Sequence, residues 1–229
     1  MAVFVTRSGS FTFRAQFADN TWEDIILACR MKQVPETWVE GNSKPMTING
    51  EEYQIDIIGR NHDSYANGTG LAPLTFQFHE CYEMEYPMMS TYTNKGSWRA
   101  SVMRSTHLPA IMAQMPDFVQ AAIQPVNKLT SAGNKSSTIE TTADKLFLLS
   151  EIEVFYEEDN SAAGEGKQYV YYTFVNSERK SMMNGPFNGW FLRSPRIYDN
   201  TLFCYVDDDG YNSTTGGDAT WGVAPAWCF

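Results

Sequence analysis

The 229-residue chain has no apolar run near the ~20 residues that span a bilayer; its longest, residues 24–31 and 146–149, are short. No membrane insertion is therefore expected. Basic charge is also scarce: 17 Lys and Arg against 27 Asp and Glu give a net charge of −10, the wrong sign for tracking a phosphate backbone or an anionic leaflet. Nucleic acid is not an expected partner. Residues 1–5 contain no basic group, and polar residues arrive at Thr6, Arg7 and Ser8, so no secretory signal is visible.

Chemistry-bearing residues are few as well. The three histidines, His62, His79 and His107, lack the spacing of a metal pair and read as surface or capping residues. There is no Walker A loop, no G-x-G-x-x-G and no G-x-S-x-G, so phosphate cradling and acyl transfer find no support. The four cysteines, Cys29, Cys81, Cys204 and Cys228, are dispersed without a C-x-x-C and read as structural thiols. A Cys204–Cys228 bridge stays open if their strands are neighbours.

What is present is core material: 43% hydrophobic and 14% aromatic residues with only 19% charged, enough for one large domain, or one with an appendage, that needs neither disulfide nor metal. Residues 2–5 and 10–16 alternate as strands, with Phe11, Phe13 and Ala15 on one face. We expect residues 1–18 to be a docking strand and residues 19–229 the main domain. Thr21 to Asp24 resembles a capping box, and Trp22, Ile25, Ile26 and Cys29 follow at helical spacing. Residues 52–58 and 74–78 read as strands, 61–70 as a loop, and 84–89 as irregular but buried. Trp98, Val102 and Ser105 share a helical face, and Pro109 and Pro116 punctuate two further short helices. Residues 130–142, with almost no apolar side chain, read as an exposed loop. Residues 146–149 read as a buried strand, Ser150 to Glu153 as a second capping box, and 159–166 as loop. From Tyr169 on, short strands and elaborate loops are expected. The fold class is α+β, with short helices in the N-terminal half and a small antiparallel sheet with long loops in the C-terminal third.

Residues 205–218 are almost entirely Tyr, Asp, Gly, Asn, Ser and Thr, the palette of recognition loops, with an ordinary solvated hairpin loop as the alternative. Tyr198, Asp199, Asn200, Asp207, Asp208, Asp209, Tyr211 and Asn212 are the candidate ligand face. Asp207 to Gly210 reads as a turn, with a calcium site of non-EF-hand type as the alternative; no other cofactor or metal is expected.

The last forty residues also carry an ordered signature. It comprises Trp190-Phe191-Leu192-Arg193-Ser194-Pro195, then Phe203 to Val206 with Gly210, and a closing Trp221-Gly222-Val223-Ala224-Pro225-Ala226-Trp227. This set resembles a bacterial and phage domain family of unassigned function marked by W-W-L-R-S-P and a closing G-V-R-P-A-F; residues 22–26, 97–104 and 144–154 fit the same pattern in order. It departs at Phe191, where the family often has Trp, and at Ala224, where it often has Arg. The closing pattern is similar to the C-type-lectin-like fold of sulfatase-modifying enzymes and retroelement variable proteins, in which loops between the last strands make a ligand surface.

The resemblance implies a non-enzymatic phage or prophage virion protein, decorating a capsid or tail or contacting a bacterial surface glycan or protein. Other virion proteins and further copies of the chain would then be its neighbours, and assembly would occur in the host cytoplasm. A module that binds only its particle neighbours, and an enzyme of the formylglycine-generating type, are the alternatives. Trp190, Trp221 and Arg193 are expected to be architectural, with Arg193 held by a carboxylate or by stacking.

Overall fold

Helix α1 (Trp22–Met31) begins where local chemistry dictates. The Thr21 hydroxyl accepts from the Asp24 N–H, and the Asp24 carboxylate accepts from the Thr21 N–H, both at 3.1 Å. Its buried face is Trp22, Ile25, Ile26, Ala28 and Cys29, and Lys32 closes it in the left-handed conformation. The computed structural model describes residues 12–157, 159–174 and 189–229.

Strands β1 (Ser43–Ile48) and β2 (Glu51–Arg60) follow as a hairpin across Asn49-Gly50, whose positive φ values of 54° and 84° match the twist of a two-residue turn. Strand β2 pairs with β3 (Leu74–Phe78), and β4 (Tyr86–Pro87) comes next. Three short helices, α2 (Ser97–Ala100), α3 (Leu108–Met112) and α4 (Asp117–Ala122), surround a π turn at Met103–His107. Hairpin β5 (Val126–Gly133) and β6 (Ser136–Asp144) leads to β7 (Leu146–Phe147) and α5 (Glu151–Phe155). After α6 (Tyr171–Phe174) come β8 (Gly189–Pro195), β9 (Leu202–Asp207), β10 (Asn212–Gly216), β11 (Thr220–Trp221) and β12 (Ala226–Cys228).

The architecture is α+β. A five-stranded antiparallel sheet has the order β1-β2-β3-β12-β7, so the last strand is inserted between β3 and β7. A second sheet, β10-β9-β8, holds three of the late strands, and β4 pairs with β11 and β5 with β6. Every residue of β8 is buried, which places that strand inside the molecule rather than on one face of it. Phe17 lies in the same core, its ring 5.5 Å from Trp38 and 6.1 Å from Trp22. No helix among the described residues is long and apolar enough to cross a membrane.

Several expectations need correction. Residues 130–142 are not an exposed loop but most of the β5–β6 hairpin, in which Thr130, Ser131 and Thr142 are buried. This stretch has almost no apolar residue because its inward side packs on buried charge, and threonine suits a pleated surface. Residues 12–16 form no strand, although Phe13 packs 6.0 Å from Trp38; residues 2–5, 10 and 11 lie outside the described residues. The helical face of Trp98, Val102 and Ser105 is broken at Ser101, which is extended, so only Trp98 is buried. Met84 is exposed while Met88 and Met89 are buried. Beyond Tyr169, Tyr171–Phe174 is a helical turn rather than a strand.

Candidate functional site

Arg193, fully buried on β8, is where the ordered signature meets the rest of the molecule. Its guanidinium donates to the Glu153 carboxylate in a fork at 2.5 and 2.9 Å, and to the carbonyls of Leu148, Leu129 and Glu165 and the Thr130 hydroxyl at 2.8 to 3.1 Å. Beside it, the buried Lys128 ammonium donates to Asp63 and Glu153 at 2.8 Å each and to the Tyr169 hydroxyl at 3.1 Å. The second Asp63 oxygen accepts from Thr75 at 2.6 Å and Tyr169 at 2.8 Å. Two cations therefore face two carboxylates, with their hydrogen-bonding capacity engaged. Burial pushes the Glu153 carboxyl up, but Arg193 and Lys128 outweigh it and hold the group at about 2. Asp63 is also depressed, Lys128 outweighing its burial.

Ser194 extends the network: its hydroxyl accepts from the Glu151 N–H at 2.9 Å and donates to the Glu165 carboxylate. Burial raises Glu165 to about 7 against that bond and the Ser131 N–H. Trp190, Leu192, Val223, Pro225 and Trp227 are buried, and a Cβ at Gly222 would lie 2.8 Å from both the Cys81 sulfur and the Gly189 carbonyl oxygen. Trp221 packs 4.6 Å from Tyr205 and donates to Thr215 at 2.9 Å, while Gly210 closes the β9–β10 turn at φ 81°. The signature residues lie within or against the packed core.

The expected ligand face is divided. Tyr198 and Tyr211 are 74% and 70% exposed, and Asn200, Asp208 and Asp209 are exposed as well. The other three are engaged within the fold: Asp199 accepts from the Thr201 backbone N–H at 2.6 Å and from its hydroxyl, Asp207 accepts from the Asp209 and Tyr211 N–H groups, and Asn212 donates to Glu151. Residues 198–200 precede β9 and residues 208–211 follow it, so the two exposed clusters sit beyond opposite ends of a strand about 17 Å long at ~3.4 Å per residue. Residues 205–207 and 212–216 belong to the strands of a β-hairpin, the second of the two expectations, with residues 208–211 at its tip and 217–218 beyond its end. The three aspartates form that turn, and no metal-holding cluster occurs among the described residues.

All four cysteines are free and buried. Burial pushes each thiol above its ordinary value, most strongly Cys204 and Cys228, which lie on different sheets and are not bridged. The histidines, expected at the surface or at caps, are all half-buried, and His107 stands at the N-cap position of α3 without a capping side-chain bond. His79 contacts Asp56 at 2.7 Å, His62 stacks on Tyr169 at 3.8 Å and His107 lies 4.5 Å from Tyr86. Burial lowers His62 and His107.

One site escaped the sequence reading. Residues 61–64, β5, Thr141 and Gly166-Lys167 enclose a cavity of about 550 Å3 above the Lys128 cluster. The signal was parity: Lys128 sits between Val126 and Thr130 on the inward register of a strand, which marks a buried lysine. Residues 76–229 match the family described as Domain of unknown function (DUF6273). No curated protein and no solved structure matches the chain.

Proposed function

Starting from the premise that this chain belongs to the DUF6273 family of domains of unknown function, we propose that it is a non-enzymatic module of a phage or prophage particle, built on a C-type-lectin-like fold. It decorates the particle and presents a face to a bacterial surface glycan or protein. One observation carries this reading: Tyr198 and Tyr211 are largely exposed, while the adjoining signature residues are committed to the scaffold. An exposed tyrosine offers contact area at low entropic cost and can be changed with little effect on packing. The fold assignment is supported by the return of β12 into the first sheet and by a separate sheet of late strands joined by loops. The phage setting follows from the sequence resemblance. Raised, buried thiols weigh against the formylglycine-generating alternative, because such chemistry needs an accessible thiolate.

Attachment of labelled protein to bacterial cells and to purified surface glycans tests the proposal. The double variant Tyr198→Ala, Tyr211→Ala is expected to attach at least tenfold more weakly, about 1.4 kcal/mol, at unchanged melting temperature. Since the two side chains lie at opposite ends of β9, each single variant should lose only part of that. Unchanged attachment in the double variant, with attachment lost on deleting residues 2–16, would favour a module that binds only its particle neighbours.

A further inference from the structure

We propose that the cavity walled by Asn61, His62, Ser64, Asn127, Thr141 and Lys167 binds a neutral polyhydroxylated ligand, a saccharide ring. This site goes beyond the tyrosine-bearing face and shares no residue with it.

The chemistry of the walls selects the ligand. At the floor, Lys128 and Arg193 balance Asp63 and Glu153, and the Lys128 donors are spent on Asp63, Glu153 and Tyr169. The floor therefore offers neither an open cation for an anionic ligand nor an open carboxylate for a metal or an amine. The walls are different. Among the described residues, the side chains of Asn61, Ser64, Asn127, Thr141 and Lys167 make no hydrogen bond within the protein, yet all five border the cavity. Two amides and two hydroxyls can donate and accept, and the Lys167 ammonium, exposed to solvent, adds donors only; the set matches a ligand whose polar groups are hydroxyls.

The cavity also has an apolar side. Leu71 and Leu129 are 43% and 36% exposed on its wall, and the His62 imidazole, stacked on Tyr169, also borders it, burial lowering its pKa. Hydroxyl-binding amides next to an aromatic ring and exposed leucines fit a sugar ring, which has a polar rim and a C–H face. A volume near 550 Å3 lies within the range of small-molecule sites. The site is also preformed. The Asn127 N–H donates to the Ser64 carbonyl at 2.9 Å, Ser64 bridges to Leu71, and the Asn61 N–H donates to the Pro73 carbonyl at 3.1 Å.

The test is NMR titration of the isotope-labelled full chain with three neutral probes: methyl α-glucopyranoside, N-acetylglucosamine and methyl α-rhamnopyranoside. Inorganic phosphate and glucuronate serve as charged controls. At least one neutral probe is expected to shift resonances of residues 61–64 and 127–129, more strongly than either control. Asn61→Gly, which keeps the left-handed backbone at φ 51°, combined with Asn127→Ala should weaken that binding at least tenfold without lowering the melting temperature. Leu129→Asp is a second, independent block on the apolar wall. The double tyrosine variant should bind the same probe normally, which separates this site from the attachment face. If none of the three glycosides shifts these resonances, if a charged control binds here in their place, or if both the asparagine pair and Leu129→Asp leave binding unchanged, the proposal fails.

Discussion

At the scale of single residues, the behaviour of the core is set by two buried glutamates with opposite titration. Glu153 is held at about 2, below its ordinary 4.5, so the stability it contributes is present above pH 4.5 and is lost as the pH falls through about 2. Glu165 has the other sign. Raised to about 7, it keeps a proton in the folded chain that the unfolded chain releases, so its contribution is full below pH 4.5 and drains away as the pH rises through 7. Glu165→Gln, which retains the shape of the protonated acid, should therefore gain on the native protein as pH rises. A series of thermal melts from about pH 5 to about pH 8 should show the gap in melting temperature between variant and parent widening up to about pH 7 and levelling off above it. A constant gap would mean that Glu165 is ionised throughout. The sequence left Arg193 open between a carboxylate and stacking, and the structure gives it Glu153, already recognisable as a capping residue. That double role was illegible because the cap is three residues away and the arginine forty.

Among elements, legibility follows the range of the interactions that form them. Helices α1 and α5 could be read because a capping box is complete within four residues, and both boxes are present. The β5–β6 hairpin could not, because beyond Val126 the inward residues of β5 are Lys128, Thr130 and Ser131, and what holds them comes from afar: Asp63 and Glu153 for the Lys128 ammonium, Arg193 of β8 for the Thr130 hydroxyl, and Glu165 for the Ser131 N–H. Polarity alone then looks like solvent exposure. The same hidden packing separates the two caps. Thr21 is exposed and its hydroxyl serves only the helix end, so Thr21→Ala should cost about 1 kcal/mol in urea unfolding. Ser150 is buried, and its hydroxyl also donates to the Glu165 carbonyl at 2.8 Å. Ser150→Ala strands buried groups as well as uncapping α5, and should cost about 2 to 3 kcal/mol. Equal costs would show that the network around Ser150 re-forms without it.

For the molecule as a whole, the family match begins at residue 76, inside strand β3, and thus cuts a sheet. Residues 12–75, the described part of the chain before that point, are not an appendage. Strand β2 pairs with β3 along Ile55↔Phe78 and Ile57↔Phe76, Trp22 packs 5.8 Å from Phe76 and 6.3 Å from Phe229, and the Tyr65 hydroxyl donates to the Phe229 carbonyl at 2.6 Å. Asp63, one of the two carboxylates on Lys128, also lies upstream. Each large apolar side chain left without its cover forfeits roughly 1.5 to 3 kcal/mol, and a domain has only about 5 to 15 kcal/mol in total. Loss of the cover on Phe76, Phe78 and Phe229, together with removal of a counter-ion from a buried lysine, is of the same size as that margin. A fragment of residues 76–229 is therefore expected to show no cooperative thermal transition and weak near-ultraviolet dichroism, whereas residues 12–229 should melt in one step. A sharp, reversible melt of the shorter fragment would instead mean that β3 tolerates an open edge and that the unit recognised in the sequence is also the unit that folds.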